Sequence, residues 1–385
     1  MTNKKIKIAL ISNSCWYIYN FRISLLRDLK SEGFEVVIIT PLDKYVNQLV
    51  EEGFEYQKWG LSRKSINIFN ELISIYSLIK IYKRLKPDLV HHFTIKACLY
   101  GTIAAKFSDI NLVINSITGL GHLYAGKKYT TRILKNILKP IYKIIFRARR
   151  SNMIFQNKDD LYEFEKNKFI NENSSIVIEG SGVDIVKFFP SEDTSGKYHS
   201  PIRVLFPSRL IMEKGIIEVI RACNSLWKEK YNFSLWISGK NNDANRSSLK
   251  KNTLRKLEEN KKIKILGHVE NMKELYENID IVLLPSWREG LSKALIEAAA
   301  MQRPIITTNT TGCAEIIDHG KNGILVPLQD EESIKLALKF LFLNQNLSRE
   351  FGISAREKVI KNFSTTIINS QTIRFYRKII NSRIT

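Results

Sequence analysis

Short, branched apolar runs alternate along this chain with stretches of helical spacing, and the series occurs twice. Lys5–Ser12 (KIKIALIS), Phe34–Thr40, Asp88–Phe93 and Asn111–Ile117 are each short and nearly continuous in apolar residues. Such runs suit strands buried on both faces, as in a parallel sheet. Between them, Phe21–Ser31, Asn67–Leu85 and Lys96–Phe107 carry the three-and-four spacing of helices. Strands alternating with helices predict an open, doubly wound α/β sheet. The polar stretch Ser191–Pro201 (SEDTSGKYHSP) interrupts the series. It restarts with Ile202–Ser208, Phe233–Ser238, Ile263–Gly267, Ile279–Pro285, Arg303–Thr308 and Asn322–Pro327. From Ser333 to about Ser382 the spacing is helical throughout. The expected organisation is an N-terminal α/β domain at 1–185, a second at 186–365, and a C-terminal helix at 366–385 crossing back to the first.

A chain of 385 residues with 44% hydrophobic and 25% charged residues has material for two globular cores. Its 60 Lys and Arg against 38 Asp and Glu leave a net charge of +22. That excess points to an anionic partner: nucleic acid, an anionic bilayer or phosphorylated small molecules. Cys15, Cys98, Cys223 and Cys313 lie far apart, form no CxxC pair and outline no disulfide framework, so a reducing compartment is expected. No apolar stretch approaches the ~18–20 residues that span a bilayer. The opening MTNKKIKIALISNS is broken at Asn13 and Ser14 and reads as a first strand. The expected location is the cytoplasm, peripherally on the inner face of the cell membrane.

The densest chemistry lies in PSWREGLSKALIEAAAMQRPIITTNTTGCAEII, Pro285–Ile317. Eight positions along a helix place Glu289 and Glu297 roughly 80° past two turns and about 12 Å apart along the axis, too far to touch the same atom. They would then hold two ends of an extended ligand; alternatively one serves the helix dipole and the other solvates a face. Gly290 allows a ligand close to the backbone, and the free N–H groups of a first helical turn attract anions. In FPSRLIMEKG, Phe206–Gly215, Arg209 and Lys214 follow a strand, where open α/β sheets bind ligands beyond their C-terminal strand ends. Arg grips phosphate oxygens bidentately and Lys adds a point charge, which suits a diphosphate. The other reading is a pair of solvated surface cations.

Taken in order, SRLIMEKG, LGHVEN, PSWREGLSKALIEAAA, TGCAEII and NGILV resemble the C-terminal domain of retaining GT-B glycosyltransferases of family 4. NFRISLLRDL, HHFTIKACLYG, NSITGLGHLY and EGSGVDIVKFFP extend the resemblance over essentially the whole chain, toward the branch that glycosylates polyprenyl-diphosphate-linked saccharides in capsule, O-antigen or glycan biosynthesis. The resemblance implies two Rossmann-like domains facing each other across a cleft. It implies that Arg209 and Lys214 hold the donor diphosphate, that Glu289 binds hydroxyls of the transferred sugar, and that Glu297 grips the ribose. Backbone groups at His268 and Val269 would contact the base, and Gly290, Leu291 and Ser292 would offer N–H groups to the phosphates. Glycosyl transfer builds charge on a leaving diphosphate, which preorganised cations and donors stabilise. With no Asp-x-Asp motif and no His/Cys cluster at ligand spacing, metal-independent transfer is expected, with a UDP-sugar as co-substrate and no cofactor. UDP-N-acetylhexosamine is the expected donor, ahead of other UDP-hexoses and GDP-sugars. Sugar-nucleotide epimerisation and nucleic-acid binding are the competing readings, the second resting on charge alone.

In the N-terminal half, SNSCWYIYNFR follows the first strand without the glycine-rich loop of many relatives; Asn20 and Arg22 are candidates to face the cleft. Lys96, just past a strand end, is a candidate for acceptor phosphate, while His91 and His92 lie within the strand as core or functional histidines. The resemblance places Thr118, Gly119, Gly121 and His122 on the acceptor side. Gly180 and Gly182 are expected to form the turn between domains. Ile110–Lys158 holds no carboxylate, and within Lys127–Arg150 an apolar stripe (Ile133, Ile137, Ile141, Ile145) runs beside a cationic one (Lys135, Lys139, Lys143, Arg147). An anionic membrane surface is the expected partner of that stretch, with Asn67–Pro87 assisting; a core-facing helix with a solvated basic face is the alternative.

Overall fold

The computed structural model describes residues 5–62, 67–119, 139–147, 151–171, 173–191, 198–241 and 247–382. It divides into two compact units, Met1–Ser181 with Ile368–Thr385, and Gly182–Ile367. Gly121, His122 and Lys135 lie outside the described residues.

Unit 1 is built on a seven-stranded parallel sheet in the order β3-β2-β1-β4-β5-β6-β7. Its strands are β1 (Lys7–Ser12), β2 (Glu35–Thr40), β3 (Glu55–Lys58), β4 (Leu89–Phe93), β5 (Leu112–Ile117), β6 (Ser151–Phe155) and β7 (Ser175–Val177). Helices α1 (Cys15–Ser31), α2 (Val46–Glu51), α3 (Ile68–Leu85), α4 (Ile95–Lys106) and α5 (Lys158–Lys166) connect them, and residues 139–146 are also helical. The pleat sends alternate side chains of β1 to opposite faces. Ile8 and Leu10 join Leu25, Leu26 and Leu29 of α1 in one core. Ala9 and Ile11 join Leu78 and Ile81 of α3 in the other.

Both histidines of β4 are buried, one on each face. On one, the His92 ring bonds Tyr82 Oη at 2.9 Å and Asn115 Oδ1 at 2.8 Å. A Cβ at Gly101 would come within 2.3 Å of this ring, so only glycine fits α4 there. On the other face His91 bonds Ser116 Oγ at 2.6 Å and the hydroxyl of Tyr376 from the C-terminal helix. Burial holds the His91 imidazole well below the usual histidine range and pushes His92 down to about 4. Both are neutral at pH 7 and serve the core.

Unit 2 carries a six-stranded parallel sheet in the order β10-β9-β8-β11-β12-β13. The strands are β8 (Ile202–Phe206), β9 (Phe233–Ser238), β10 (Ile263–Gly267), β11 (Ile281–Leu284), β12 (Ile305–Thr308) and β13 (Ile324–Val326). Among them lie α6 (Ile216–Lys228), α7 (Lys251–Glu258), α8 (Met272–Glu277) and α9 (Lys293–Ala300), followed by α10 (Glu331–Leu343) and α11 (Gln345–Asn362); the last helix, α12 (Thr365–Asn381), belongs from Ile368 onward to unit 1, where Ile368, Tyr376 and Ile379 join its core. A single apolar core runs through the unit. Arg356 of α11 crosses from helix to loop, donating to the carbonyls of Phe188 at 2.8 Å and Ala300.

Replacing Tyr376 by Phe strips the buried His91 ring of one partner. An unsatisfied buried polar group costs about 1–3 kcal/mol, so Tyr376→Phe should lower the urea midpoint of unfolding by a corresponding amount. An unchanged midpoint would show that the contact contributes nothing to holding the C-terminal helix.

Candidate active site

In an open α/β sheet the strand order reverses at one place, and loops leaving the C-terminal ends of the strands there open a crevice. In unit 2 the reversal falls between β8 and β11, neighbours whose connections run to opposite sides. The β8 loop carries Arg209, then a short 3-10 turn at Met212–Lys214 and Gly215 at φ +78 before α6 begins. The β11 loop carries Ser286, Trp287, Arg288 and Glu289 before α9.

The two loops meet through charge. The Lys214 ammonium pairs with Glu289 Oε1, which also accepts from Ser286 Oγ at 2.8 Å. Both charged side chains are 15% exposed, so the pair is reachable but largely shielded from water. Trp287 N donates to the Glu213 carbonyl at 2.9 Å, tying the loops together by backbone as well. Arg209 is exposed and makes no ion pair with any described residue.

Three glycines set this geometry. A Cβ on Gly215 would lie 2.2 Å from the Pro285 carbonyl oxygen, so β8's loop reaches β11's only because that atom is missing. A Cβ on Gly312, at φ +79, would strike the Glu289 backbone and Cβ at 2.5 to 2.6 Å. One on Gly239 would sit 1.9 Å from Ser208 O, beneath Arg209. Gly312 N donates to Glu315 Oε2 at 2.6 Å, and Glu289 N to Thr311 O at 2.9 Å. The TTGCAE segment is therefore the floor on which Glu289 rests. The Cys313 thiol beneath it is pushed up to about 12, mainly by burial, and is not a nucleophile.

Two expectations are corrected. Glu289 and Glu297 do not share a helix: α9 starts at Lys293, four residues after Glu289, so the helical rise and angle do not apply to them. The loop lets Glu289 fold back to Lys214 while Glu297 stays in the second turn of α9. Second, the backbone N–H of Ser292 donates to Gly312 O at 3.1 Å and is not available to a phosphate. Gly290 and Leu291 lie half-buried in the same loop.

Glu297 is buried, with its nearest cation, Lys293, 3.8 Å away. Burial therefore holds its carboxyl above the ordinary range, with Lys293 and Lys187 only partly opposing the shift. Exposed His268 and half-buried Val269 follow β10, an edge strand two places from β8. They follow a strand of the same sheet, whereas the side-chain partners of Glu289 are Lys214 and Ser286.

In unit 1 the order reverses between β1 and β4. Arg22 does not present its charge to solvent there: it is buried, lies 4.7 Å over the Phe93 ring and donates to Tyr17 Oη at 3.3 Å and Gly180 O at 3.4 Å. Asn20 Nδ2 donates to Trp16 O at 2.9 Å within its own helix. Lys96 is neutralised by Glu71 at 2.8 Å. Thr118 and Gly119, the latter at φ 115, follow β5. Thr94, which the HHFTIK motif places at a strand's C-terminal end, has φ 74 and ψ 150 just beyond β4, a region disfavoured for branched residues at a cost of order 1–3 kcal/mol. Gly239 escaped the sequence reading, because it acts on Ser208 and Arg209, some thirty positions away; Ser286 and Glu315 bond Glu289 and Gly312 three positions away, within loops that carry no periodic signal. Among the described residues no group of three or more His, Cys, Asp or Glu is disposed to hold a metal ion.

Each unit is an α/β layer on a parallel sheet, and in unit 2 a cation and a carboxylate meet at the strand-order reversal, the place where open α/β sheets bind ligands. Residues 190–358 match the family model described as glycosyl transferases group 1, and residues 7–157 the model described as glycosyl transferase 4-like. The chain is 26% identical, over 98% of its length and 100% of the relative's, to N,N'-diacetylbacillosaminyl-diphospho-undecaprenol alpha-1,3-N-acetylgalactosaminyltransferase of Campylobacter jejuni. It is 24% identical, over 94% of both chains, to UDP-Gal:alpha-D-GlcNAc-diphosphoundecaprenol alpha-1,3-galactosyltransferase of Escherichia coli. In fold it matches a crystal structure of a glycosyltransferase from Rickettsia africae with a TM-score of 0.78 at 21% identity, over 98% of this chain and 99% of that one. The protein belongs to the GT-B glycosyltransferases of family 4.

Glu297 supplies a test. A carboxyl whose pKa is raised by folding holds a proton that the unfolded chain has released, so its contribution to stability falls as pH rises above the ordinary value of 4.5. Glu297→Gln should therefore raise the ligand-free melting temperature at pH 7.5 relative to wild type, with the difference shrinking toward pH 4. A pH-independent difference would count against a desolvated carboxylate.

Proposed function

We propose that the protein transfers a sugar, N-acetylhexosamine as the first choice, from a UDP-sugar to a polyprenyl-diphosphate-linked saccharide in bacterial surface-polysaccharide or glycan assembly. The observation that carries the reading is the Lys214–Glu289 contact at the strand-order reversal, with exposed Arg209, ion-paired to no described residue, in the same loop as Lys214. Both full-length relatives above carry undecaprenyl-diphosphate-linked sugars in their names, and one also carries UDP-Gal.

A donor diphosphate brings two anionic groups to Arg209 and Lys214. Lys214 turns from the carboxylate to the phosphate, and Glu289, released but still held by Ser286 and the Gly312 floor, accepts hydrogen bonds from sugar hydroxyls. Glu297 receives the ribose hydroxyls, and the backbone beyond β10 at His268 and Val269 faces the base. The bond from the anomeric carbon to the diphosphate oxygen then breaks, its electron pair leaving with the diphosphate. Arg209 and Lys214 take up that charge while the sugar passes through an oxocarbenium-like state. An acceptor hydroxyl adds on the face the diphosphate leaves, its proton passing to a departing phosphate oxygen, so configuration is retained. Two fixed cations supply the charge stabilisation, and the transfer is metal-independent. Unit 1 serves the acceptor, on the inner face of the membrane.

A sugar-nucleotide panel tests the donor. A UDP-sugar at a hundred times its Kd should raise apparent stability by about 2.7 kcal/mol, and Arg209→Ala should abolish that shift. Removing a group that stabilises transition-state charge costs on the order of 10²–10³ in kcat, the loss expected for Arg209→Ala and Glu289→Ala in a transfer assay. Failure of every sugar nucleotide to stabilise the protein would sink the proposal. Activity lost in EDTA and restored by Mg²⁺ or Mn²⁺ would overturn metal independence.

A further inference from the structure

Helix α3 has two unlike faces. Ser74, Leu78, Ile81 and Tyr82 are buried against the sheet. On the other side Ile68, Phe69, Leu72, Ile73 and Tyr76 are 57–72% exposed, on five of the first nine positions. At about 100° per residue these five fall within an arc of about 140°, centred opposite the buried face. They form one contiguous apolar strip on the first two and a half turns. Isolated exposed apolar residues need no explanation, but a contiguous strip marks an interaction surface.

The charge on the same arc identifies the partner. Lys80 and Lys83 are exposed and continue the same arc over the C-terminal turns, with Lys80 Nζ 4.5 Å from the Tyr76 ring centroid. Glu71 is the single carboxylate between Asn67 and Pro87. It is turned off the strip and occupied by Lys96 at 2.8 Å and by the Tyr100 hydroxyl. The exposed face therefore reads apolar, then cationic, with no negative charge. Among the described residues no helix is long and apolar enough to cross a membrane. A helix of this kind lies in the interface, its apolar side chains below the headgroups and its cations at the phosphates.

We infer that the outward face of α3 docks the protein on an anionic bilayer, Phe69, Leu72 and Ile73 entering the acyl boundary and Lys80 and Lys83 meeting lipid phosphates. The inference rests on the proposed lipid-linked acceptor and assigns the contact surface to α3. The test floats the full-length protein with phosphatidylcholine vesicles, with and without 30% phosphatidylglycerol. Wild type should float with the anionic vesicles and only weakly with the neutral ones. Phe69→Ser/Leu72→Ser/Ile73→Ser should lose at least tenfold in partitioning, and Lys80→Glu/Lys83→Glu should lose the preference for phosphatidylglycerol. Leu336→Ser, at an equally exposed position of α10, should float as wild type. All variants should keep the donor-induced thermal shift, which confirms folding. Wild-type flotation by both α3 variants, or no flotation of wild type, overturns the inference. So does a wild-type dimer in sedimentation that the triple variant dissociates, since α3 then binds a second copy. Transfer to a water-soluble, short-tailed diphosphate acceptor separates the two ideas: its absence defeats the proposed function, whereas its presence with unaltered vesicle binding defeats only the role of α3.

Discussion

The site in unit 2 depends on one close approach, that of the β8 loop to the β11 loop. Adjacent parallel strands run about 4.8 Å apart, so loops leaving them collide unless side chains are absent at the crossing. Gly215 provides that absence against Pro285, and Gly312 provides it against Glu289. With both present, Lys214 and Glu289 fall into contact. A shielded ion pair is weak evidence for stability, because desolvation offsets much of the attraction. Each partner is preoriented by the other, and in the proposed function each is released to the donor, Lys214 to its diphosphate and Glu289 to its hydroxyls.

How much of this was legible in the sequence follows from where the physics is local. The buried central strands announced themselves because burial on both faces demands uninterrupted branched apolar residues, and β9 matches the expected Phe233–Ser238 residue for residue. The edge strand β3 reads EYQK, with no buried residue, and β7 has three residues; neither produces an apolar run. In the site, the cations and carboxylates were visible as residue types on loops. The sequence reading extended α9 back to Glu289, whereas the Gly290–Ser292 segment is loop, held by the bonds to Thr311 and Gly312. Those bonds join residues some twenty positions apart, beyond the reach of periodicity. The same limit hid the burial of Arg22: a helix-borne Arg looks solvated until Phe93 and Gly180 close over it.

Glu297 shows the opposing demands on such a site. A carboxylate in a buried environment with a cation no nearer than 3.8 Å destabilises the empty protein. The same desolvation strengthens a hydrogen bond made to a ligand hydroxyl, because the competing water has already been removed. The cost is carried by the fold before the ligand arrives, and the surrounding core of α9, with Leu295, Ile296 and Ala298–Ala300 all buried, supplies the packing that offsets it.

The excess of 22 positive charges can be sorted by the company each cation keeps. Lys7, Arg27, Lys96 and Lys335 are matched by carboxylates within 2.7–2.8 Å and report only on local packing. Arg209 is exposed in a loop at a strand-order reversal, where the proposed function seats a compact diphosphate. Lys80 and Lys83 continue an exposed apolar strip. A nucleic-acid surface arrays cations along a backbone of regularly spaced phosphates and gains nothing from five large apolar side chains beside them. A bilayer offers both an apolar interior and a plane of phosphate within one helix width, which is why the inferred docking treats the apolar and cationic halves of α3 as a single surface.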